Sequence, residues 1–251
     1  MAYADANGVH TYYEESGAGE PLLLMHGGFG TADDFQGGLA ALSDTYRVLV
    51  PERRGHGRTA DVEGPYALET LALDTAAFVE EVAGGPVRIA AYSHGAMVAL
   101  TLAVLRPDLV SRLVLISGVF HHSALLSKPG PEGELPEMVA GPYAALSPDG
   151  PDHIRVVLRK VAESMAVEPA MESADLAGVR APTLVMVGDD DIVPVEHAVA
   201  AYRGLPSAEL AVVPHASHAL LWERPEECAS HVRRFLAGDG PPTFMPVRRG
   251  A

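Results

Sequence analysis

Six short apolar runs, separated by helix-like or turn-rich segments, restrict this chain to few architectures. Pro21–Met25, Arg47–Val50, Val87–Ala91, Leu113–Ser117, Thr183–Val187 and Leu210–Val213 are short for core helices. They show little of the polar alternation of a half-exposed strand, which is the pattern of strands covered on both faces. Between them lie stretches with helical spacing. Leu71, Thr75, Phe78, Val79 and Val82 fall on or near one face of 68–82, Ile154, Val157, Leu158 and Val161 do so in 152–166, and Pro225 opens a helix that runs to about Leu236. Such alternation predicts an α/β fold with a mainly parallel central sheet and helices on both faces. Val9–Glu15 reads as an edge strand or hairpin arm. Thr31–Asp34 reads as the start of a helix reaching about Asp44.

In sheets of this kind the crevice for small molecules lies outside the carboxyl ends of the strands. His26, Ser93, Asp191 and His218 each follow an apolar run. The run Val87–Ala91 passes through Tyr92-Ser93-His94-Gly95 into an Ala-, Leu- and Val-rich helical stretch ending near Leu105. A serine on so tight a turn has its hydroxyl exposed at the sheet edge, beside the unpaired N–H groups that open the helix. A nucleophile needs that exposure, a fixed rotamer and a site for negative charge. A serine hydroxyl is weak at neutral pH, so it also needs a base within hydrogen-bond reach and a group to orient the base.

The totals narrow the alternatives. A chain of 251 residues with 48% hydrophobic residues can bury a substantial core as one domain. A net charge of −15 argues against nucleic-acid or anionic-membrane partners, because no basic surplus exists to neutralise phosphates. The lone cysteine, Cys228, excludes an intrachain disulfide and fits a packed thiol in a reducing compartment. The stretch Met1-Ala2-Tyr3-Ala4-Asp5 has neither a basic start nor an apolar secretory core, and no run approaches a transmembrane span, so a cytoplasmic location is expected. The histidines lack zinc spacing and the Gly/Arg loops lack a Walker pattern, so neither a metal nor a cofactor is expected. The expected partner is a small-molecule substrate, and the oligomeric state is left open.

Ala91-Tyr92-Ser93-His94-Gly95 resembles the G-x-S-x-G nucleophile elbow of α/β-hydrolases, with Ala91 where the first glycine stands. His26-Gly27-Gly28-Phe29-Gly30, Arg54-Gly55-His56-Gly57-Arg58, Gly188-Asp189-Asp190-Asp191 and Ser217-His218 followed by Glu223-Arg224-Pro225 extend the resemblance over roughly Val9 to Leu236. The overall look is that of a small esterase- or lactonase-like serine hydrolase with a short cap. The resemblance implies the chain order Ser…Asp…His, with Ser93 as nucleophile and His218 as base; His215 is the alternative base. It places the acid at Asp191, three residues after the strand-end glycine, while counting back from Val193-Pro194 points to Asp190. The oxyanion hole is expected from the N–H of His94 and from Gly28 or Phe29, which sequence cannot separate. His56 is expected to hold its loop by hydrogen bonds.

The resemblance divides the chain into a core of 1–118 and 180–237, a cap insertion at 119–179 broken by prolines, and a disordered tail at 238–251. His26, Phe120, Leu125, Met138, Tyr143, Met165 and Trp222 are the expected pocket residues. The activity expected is hydrolysis of a small carboxylic ester, lactone or thioester through an acyl-enzyme. A proline-releasing aminopeptidase, a C–C bond hydrolase or haloperoxidase-like enzyme, and a non-catalytic ligand receptor are the alternatives.

Overall fold

The computed structural model describes residues 2–238, 240 and 243–245; the greater part of the expected tail at 238–251 lies outside them. The sheet has the strand order β1-β2-β4-β3-β5-β6-β7-β8. Its strands are β1 (Ala2–Ala6), β2 (Val9–Ser16), β3 (Pro21–Met25), β4 (Arg47–Pro51), β5 (Val87–Tyr92), β6 (Val110–Ile116), β7 (Thr183–Asp190) and β8 (Ala208–Ser217). β1 and β2 form the expected hairpin arm and pair antiparallel, as do β2 and β4; all other pairings are parallel.

The continuous apolar runs are explained by two cores, one on each sheet face. Leu23, Met25, Ile89, Ala91, Leu113, Leu115 and Val185 point to one. The alternate positions Leu22, Leu24, Ala90, Tyr92, Val114, Ile116, Leu184 and Met186 point to the other. The helices α1 (Leu68–Phe78), α2 (His94–Leu105), α5 (Val195–Gly204) and α7 (Pro225–Leu236) connect the strands or close the chain, with the single turn α6 (Leu220–Glu223) ahead of α7. α7 carries Pro225 in its first turn, and its inner face buries Cys228, Val232, Phe235 and Leu236. The Cys228 thiol donates to the Leu220 carbonyl at 3.4 Å.

The segment expected as one helix from Thr31 to Asp44 is instead two short 3₁₀ turns, Ala32–Phe35 and Gly38–Asp44. The start is as read: Thr31 and Asp34 form a capping box. The break comes at Gly37-Gly38, where Gly38 packs so closely on the Pro225 carbonyl that a β-carbon there would collide with it.

Residues 119–179 run between β6 and β7 and carry α3 (Glu137–Leu146) and α4 (Ile154–Val167). α4 occupies the place that spacing indicated, whereas α3, with Pro142 inside it, was not legible. Polar bonds tie this segment to the strands' carboxyl side. Asp61 accepts from Lys160 Nζ at 2.6 Å and lies 2.9 Å from His153 Nε2, and the Leu68 N–H donates to Glu168 at 2.8 Å. Among the described residues no helix is long and apolar enough to cross a membrane.

Candidate active site

Ser93 sits between β5 and α2 with φ 53° and ψ −123°, a conformation that costs a non-glycine residue about 1–3 kcal/mol and persists only where its surroundings impose it. Here they do. The Ser93 N–H donates to Ile116 O at 2.8 Å and its carbonyl accepts from Ala96 N at 2.9 Å. Two residues on, a β-carbon at Gly95 would collide with the carbonyl oxygens of His26 and Met25, so α2 can start this close to β3 only with glycine there. Ala91 is fully buried in β5, in register with Met25 and Leu115, and the sheet accommodates its methyl.

The Ser93 hydroxyl lies 2.9 Å from Nε2 of His218, and Nδ1 of His218 lies 2.8 Å from Oδ1 of Asp191. Facing a carboxylate, Nδ1 carries the proton, which leaves Nε2 to accept from Ser93. The Asp191 side chain is fully buried and the His218 ring is 27% exposed. Burial works to raise the Asp191 pKa, but the bond and charge of His218 and the donors of Ser117 and Val193 outweigh it, holding the carboxyl below its usual range. Asp191 therefore stays an anion behind the imidazole. The Tyr92 hydroxyl donates to the His218 carbonyl at 2.7 Å and fixes the residue's backbone.

The structure separates the alternatives left open above in geometric terms. Asp189 and Asp190 are exposed, and Asp189 accepts from the Ala216 N–H at 3.2 Å. His215 is exposed, with φ 52°, and is not the ring beside Ser93. Ser117, bonded to Asp191, and Tyr92, bonded to the His218 carbonyl, make contacts that the sequence does not signal. The position of Ser117 was readable, at the end of an apolar run on the edge that carries Ser93 and Asp191.

The loop after β3 packs against the elbow. A β-carbon on Gly27 would stand 3.4 Å from Ser93 Cβ, and one on Gly28 would stand 3.7 Å from His94 Cβ and 3.5 Å from Val161 of α4. Phe29 is partly buried with φ 66°. His94 is buried within electrostatic reach of Arg53 and His56, and burial keeps its pKa well below the usual histidine value. His56 holds its loop through Nδ1, 2.9 Å from the Arg54 carbonyl.

The expected pocket residues divide. His26 is a correction: it has no exposed surface, and both ring nitrogens are spent on backbone, Nδ1 on Gly27 O at 2.8 Å and Nε2 on the Arg53 N–H at 3.1 Å. It supports the loop and presents nothing to a substrate. Met138, on α3, is 82% exposed. Trp222 is half exposed and meets Tyr92 edge-on, with ring centroids 5.4 Å apart, at the rim beside His218. Phe120, Leu125, Tyr143 and Met165 are buried in the core that continues under 119–179. Phe120 also stacks on His197 at 4.0 Å and borders a small cavity behind α2 with Ala96, Leu115 and Gly118.

Comparison with known proteins identifies the family. Residues 22–231 match the alpha/beta hydrolase family. A non-heme haloperoxidase from Rhodococcus erythropolis is 28% identical over 86% of this chain and 91% of its own length. A 2-hydroxy-6-oxo-6-(2'-aminophenyl)hexa-2,4-dienoic acid hydrolase from Metapseudomonas resinovorans is 26% identical over 94% of this chain and 90% of its own. The crystal structure of a serine hydrolase involved in carbazole degradation, the CarC enzyme, superposes with a TM-score of 0.79 at 25% identity, covering 94% of this chain and 98% of that one. The chain belongs to the alpha/beta hydrolase family and is an enzyme of the hydrolase type.

Proposed function

We propose that the protein is a serine hydrolase that cleaves a small carboxylic ester, lactone or thioester through an acyl-enzyme on Ser93. The observation that carries this reading is the row Ser93 Oγ, His218, Asp191, with spacings of 2.9 and 2.8 Å. In this reading His218 takes the Ser93 proton as the hydroxyl attacks the acyl carbon and returns it to the leaving group. Asp191 holds the ring and balances the imidazolium. The oxyanion is received by N–H groups of His94 and of the loop after β3. Residues 119–179 act as a cap, with α4 over Gly28 through Val161.

The test is labelling by a fluorophosphonate with peptide mapping, followed by a panel of p-nitrophenyl esters, lactones and aminoacyl anilides. Stoichiometric modification of Ser93, abolished in Ser93→Ala, with a burst on activated esters supports the reading. An inert Ser93 supports a ligand receptor instead. A second reading is cleavage of a C–C bond next to a ketone by the same three residues. It is favoured by the match to the dienoic acid hydrolase over nearly the whole of both chains. Turnover of a 2-hydroxy-6-oxodienoate at a higher kcat/KM than any ester would select it.

A further inference from the structure

Behind the loop after β3 lies a cation with no carboxylate in salt-bridge contact, although the charge of Asp34 acts on it from beyond that distance. Arg53 follows β4 and is buried, 7% exposed. Its guanidinium donates to the carbonyl of His26 at 2.5 Å through one terminal nitrogen and to that of Gly27 at 2.8 Å through the other. Among the described residues it forms no salt bridge; its neighbours Arg54 and Arg58 pair with Asp74 and Glu52. The histidines around it add no charge, because burial and the Arg53 charge itself keep the pKa values of His26 and His94 well below normal and bring that of His56 to about 3. Burial also brings Arg53 down to about 9, which leaves it a cation at neutral pH.

A buried charge that no carboxylate contacts is expensive even with Asp34 acting on it from a distance, and tying down two carbonyls could be done by neutral donors. The identity of the carbonyls explains the choice. The Gly27 carbonyl and the Gly28 N–H belong to one planar, conjugated peptide unit, and in a trans peptide they point in opposite directions. The Gly27 oxygen accepts from Arg53 and also from His26: the His26 Nε2 accepts the Arg53 backbone N–H, so its Nδ1 carries the proton that faces Gly27. Electron density drawn to that oxygen leaves the amide nitrogen more positive and its N–H a stronger donor. Gly28 lies against His94 at the elbow. The guanidinium also touches the elbow from beneath, where a β-carbon on Gly95 would come within 3.0 Å of it.

We propose that Arg53 is a positioning residue for the oxyanion hole: its buried guanidinium, with His26, polarises the Gly27–Gly28 peptide so that the Gly28 N–H, rather than that of Phe29, receives the negative charge formed on Ser93 attack. This rests on the reading of Ser93 as the nucleophile. A cation behind the peptide does little for a neutral ester and much for an oxyanion, so its effect falls on the transition state.

The test compares Arg53→Met, which keeps much of the stem and removes the charge, with the wild-type enzyme in three measurements. Steady-state hydrolysis of p-nitrophenyl acetate is expected to show kcat reduced about ten- to a hundredfold, less than the loss of a whole donor, with KM within about twofold. Affinity for an aryl trifluoromethyl ketone, which adds to Ser93 as an anionic hemiketal, is expected to fall by the same factor. In the unliganded protein the ¹⁵N resonance of Gly28 is expected to move upfield, with that of Phe29 much less affected; loss of packing alone would not single out Gly28. Unchanged kcat and ketone affinity, or a fall in kcat matched by a rise in KM, would overturn the proposal. Should Arg53→Met fail to fold, Arg53→Lys decides: a retained cation reaching fewer acceptors should give a smaller loss of kcat at constant KM, and any other pattern counts against it. If the wild-type enzyme forms no ketone adduct, the serine hydrolase reading falls, and this inference with it. An adduct equally tight in both proteins removes only the inference.

Discussion

The Ser117 hydroxyl donates a 2.5 Å hydrogen bond to Oδ2 of Asp191, the carboxylate oxygen that does not face His218. Ser117 is buried at the end of β6 with φ 52°, and its N–H donates to Met186 O of β7 at 2.8 Å. It therefore bridges two strands and fixes the plane in which the acid meets the imidazole. Ser117→Ala removes the bond and keeps the strained backbone, whereas Ser117→Gly removes the bond and relieves the strain. Both variants should lose about tenfold in kcat, an expectation scaled from a net hydrogen bond to a charged group of about 1.5–3 kcal/mol. With one donor fewer, the Asp191 carboxyl should lose part of what holds its pKa down. Only Ser117→Ala should show the larger loss of thermal stability. A kcat unchanged in both variants removes Ser117 from the site.

Asp191 and Asp190 are adjacent in sequence, yet only the first turns inward. Asp191→Asn leaves the ring bond sterically possible but favours the wrong imidazole tautomer, so kcat should fall on the order of 10⁴-fold. Asp190→Asn should stay close to the wild-type rate, since that side chain is exposed. Steady-state assays of both variants on one activated ester check the assignment. Comparable losses in the two, or a greater loss from Asp190→Asn, would reverse it.

The sheet was legible because its strands are buried on both faces and announce themselves as unbroken apolar runs: Pro21–Met25 and Val87–Tyr92 are unmistakable by that criterion. Ser93, Asp191 and His218 were legible because strand ends collect on one edge, and each of them follows a run. What stayed hidden depended on contacts between segments distant in sequence. Arg53 reads as one more charge in a Gly/Arg loop until the fold brings it under His26 and Gly27. His26 was placed in the pocket because it ends a strand, but its ring is used up by backbone partners 1 and 27 residues away. The helix expected at 31–44 failed because Gly38 meets the Pro225 carbonyl, a contact with no local signal. Residues 119–179 gave up α4 through its apolar face, while α3, mostly solvent-facing and interrupted by Pro142, lacks a readable period.

Asp61 holds α4 to the rest of the chain. Its side chain is 7% exposed and accepts from Tyr66 Oη at 2.7 Å and Lys160 Nζ at 2.6 Å, with His153 Nε2 2.9 Å away. Burial would raise its pKa, but the Lys160, Tyr66 and His153 partners prevail and lower it. A depressed carboxyl contributes stability above its unfolded pKa of about 3.9, and that contribution is lost as pH falls through the lower folded value. The tether should therefore hold at neutral pH and release only in acid. Asp61→Asn leaves Lys160 without its anion and should weaken the attachment of α4 by about 3 kcal/mol, as for a broken buried pair. The damage should be local: limited proteolysis with mass mapping should give cuts within 119–179, and KM should rise more than kcat falls. Cuts distributed over the whole chain would mean that Asp61 serves global stability instead.

Asp34 supplies the opposite sign. It accepts the Thr31 N–H at 3.2 Å in the capping box, yet burial, resisted by that bond, raises its pKa to about 6. A carboxyl raised in the folded state contributes stability that is complete below its unfolded pKa, near 3.9, and is lost as pH climbs through the folded value. Between about pH 4 and pH 6 the unfolded chain releases this proton while the folded chain retains it, so ionising Asp34 penalises the native state at neutral pH. Asp34→Asn preserves an oxygen for the Thr31 N–H and removes the ionisation. It should raise stability at pH 8 by roughly 1–2 kcal/mol, part of the ceiling of about 1.4 kcal/mol per pKa unit because the group is only partly buried, and leave it nearly unchanged at pH 4. Urea denaturation at the two pH values measures the difference directly. The Arg53 charge also acts on Asp34, so a destabilised variant at pH 8 would mean that this carboxylate is needed as the counter-charge of Arg53, and the guanidinium could then no longer be treated as an unbalanced cation behind the Gly27–Gly28 peptide.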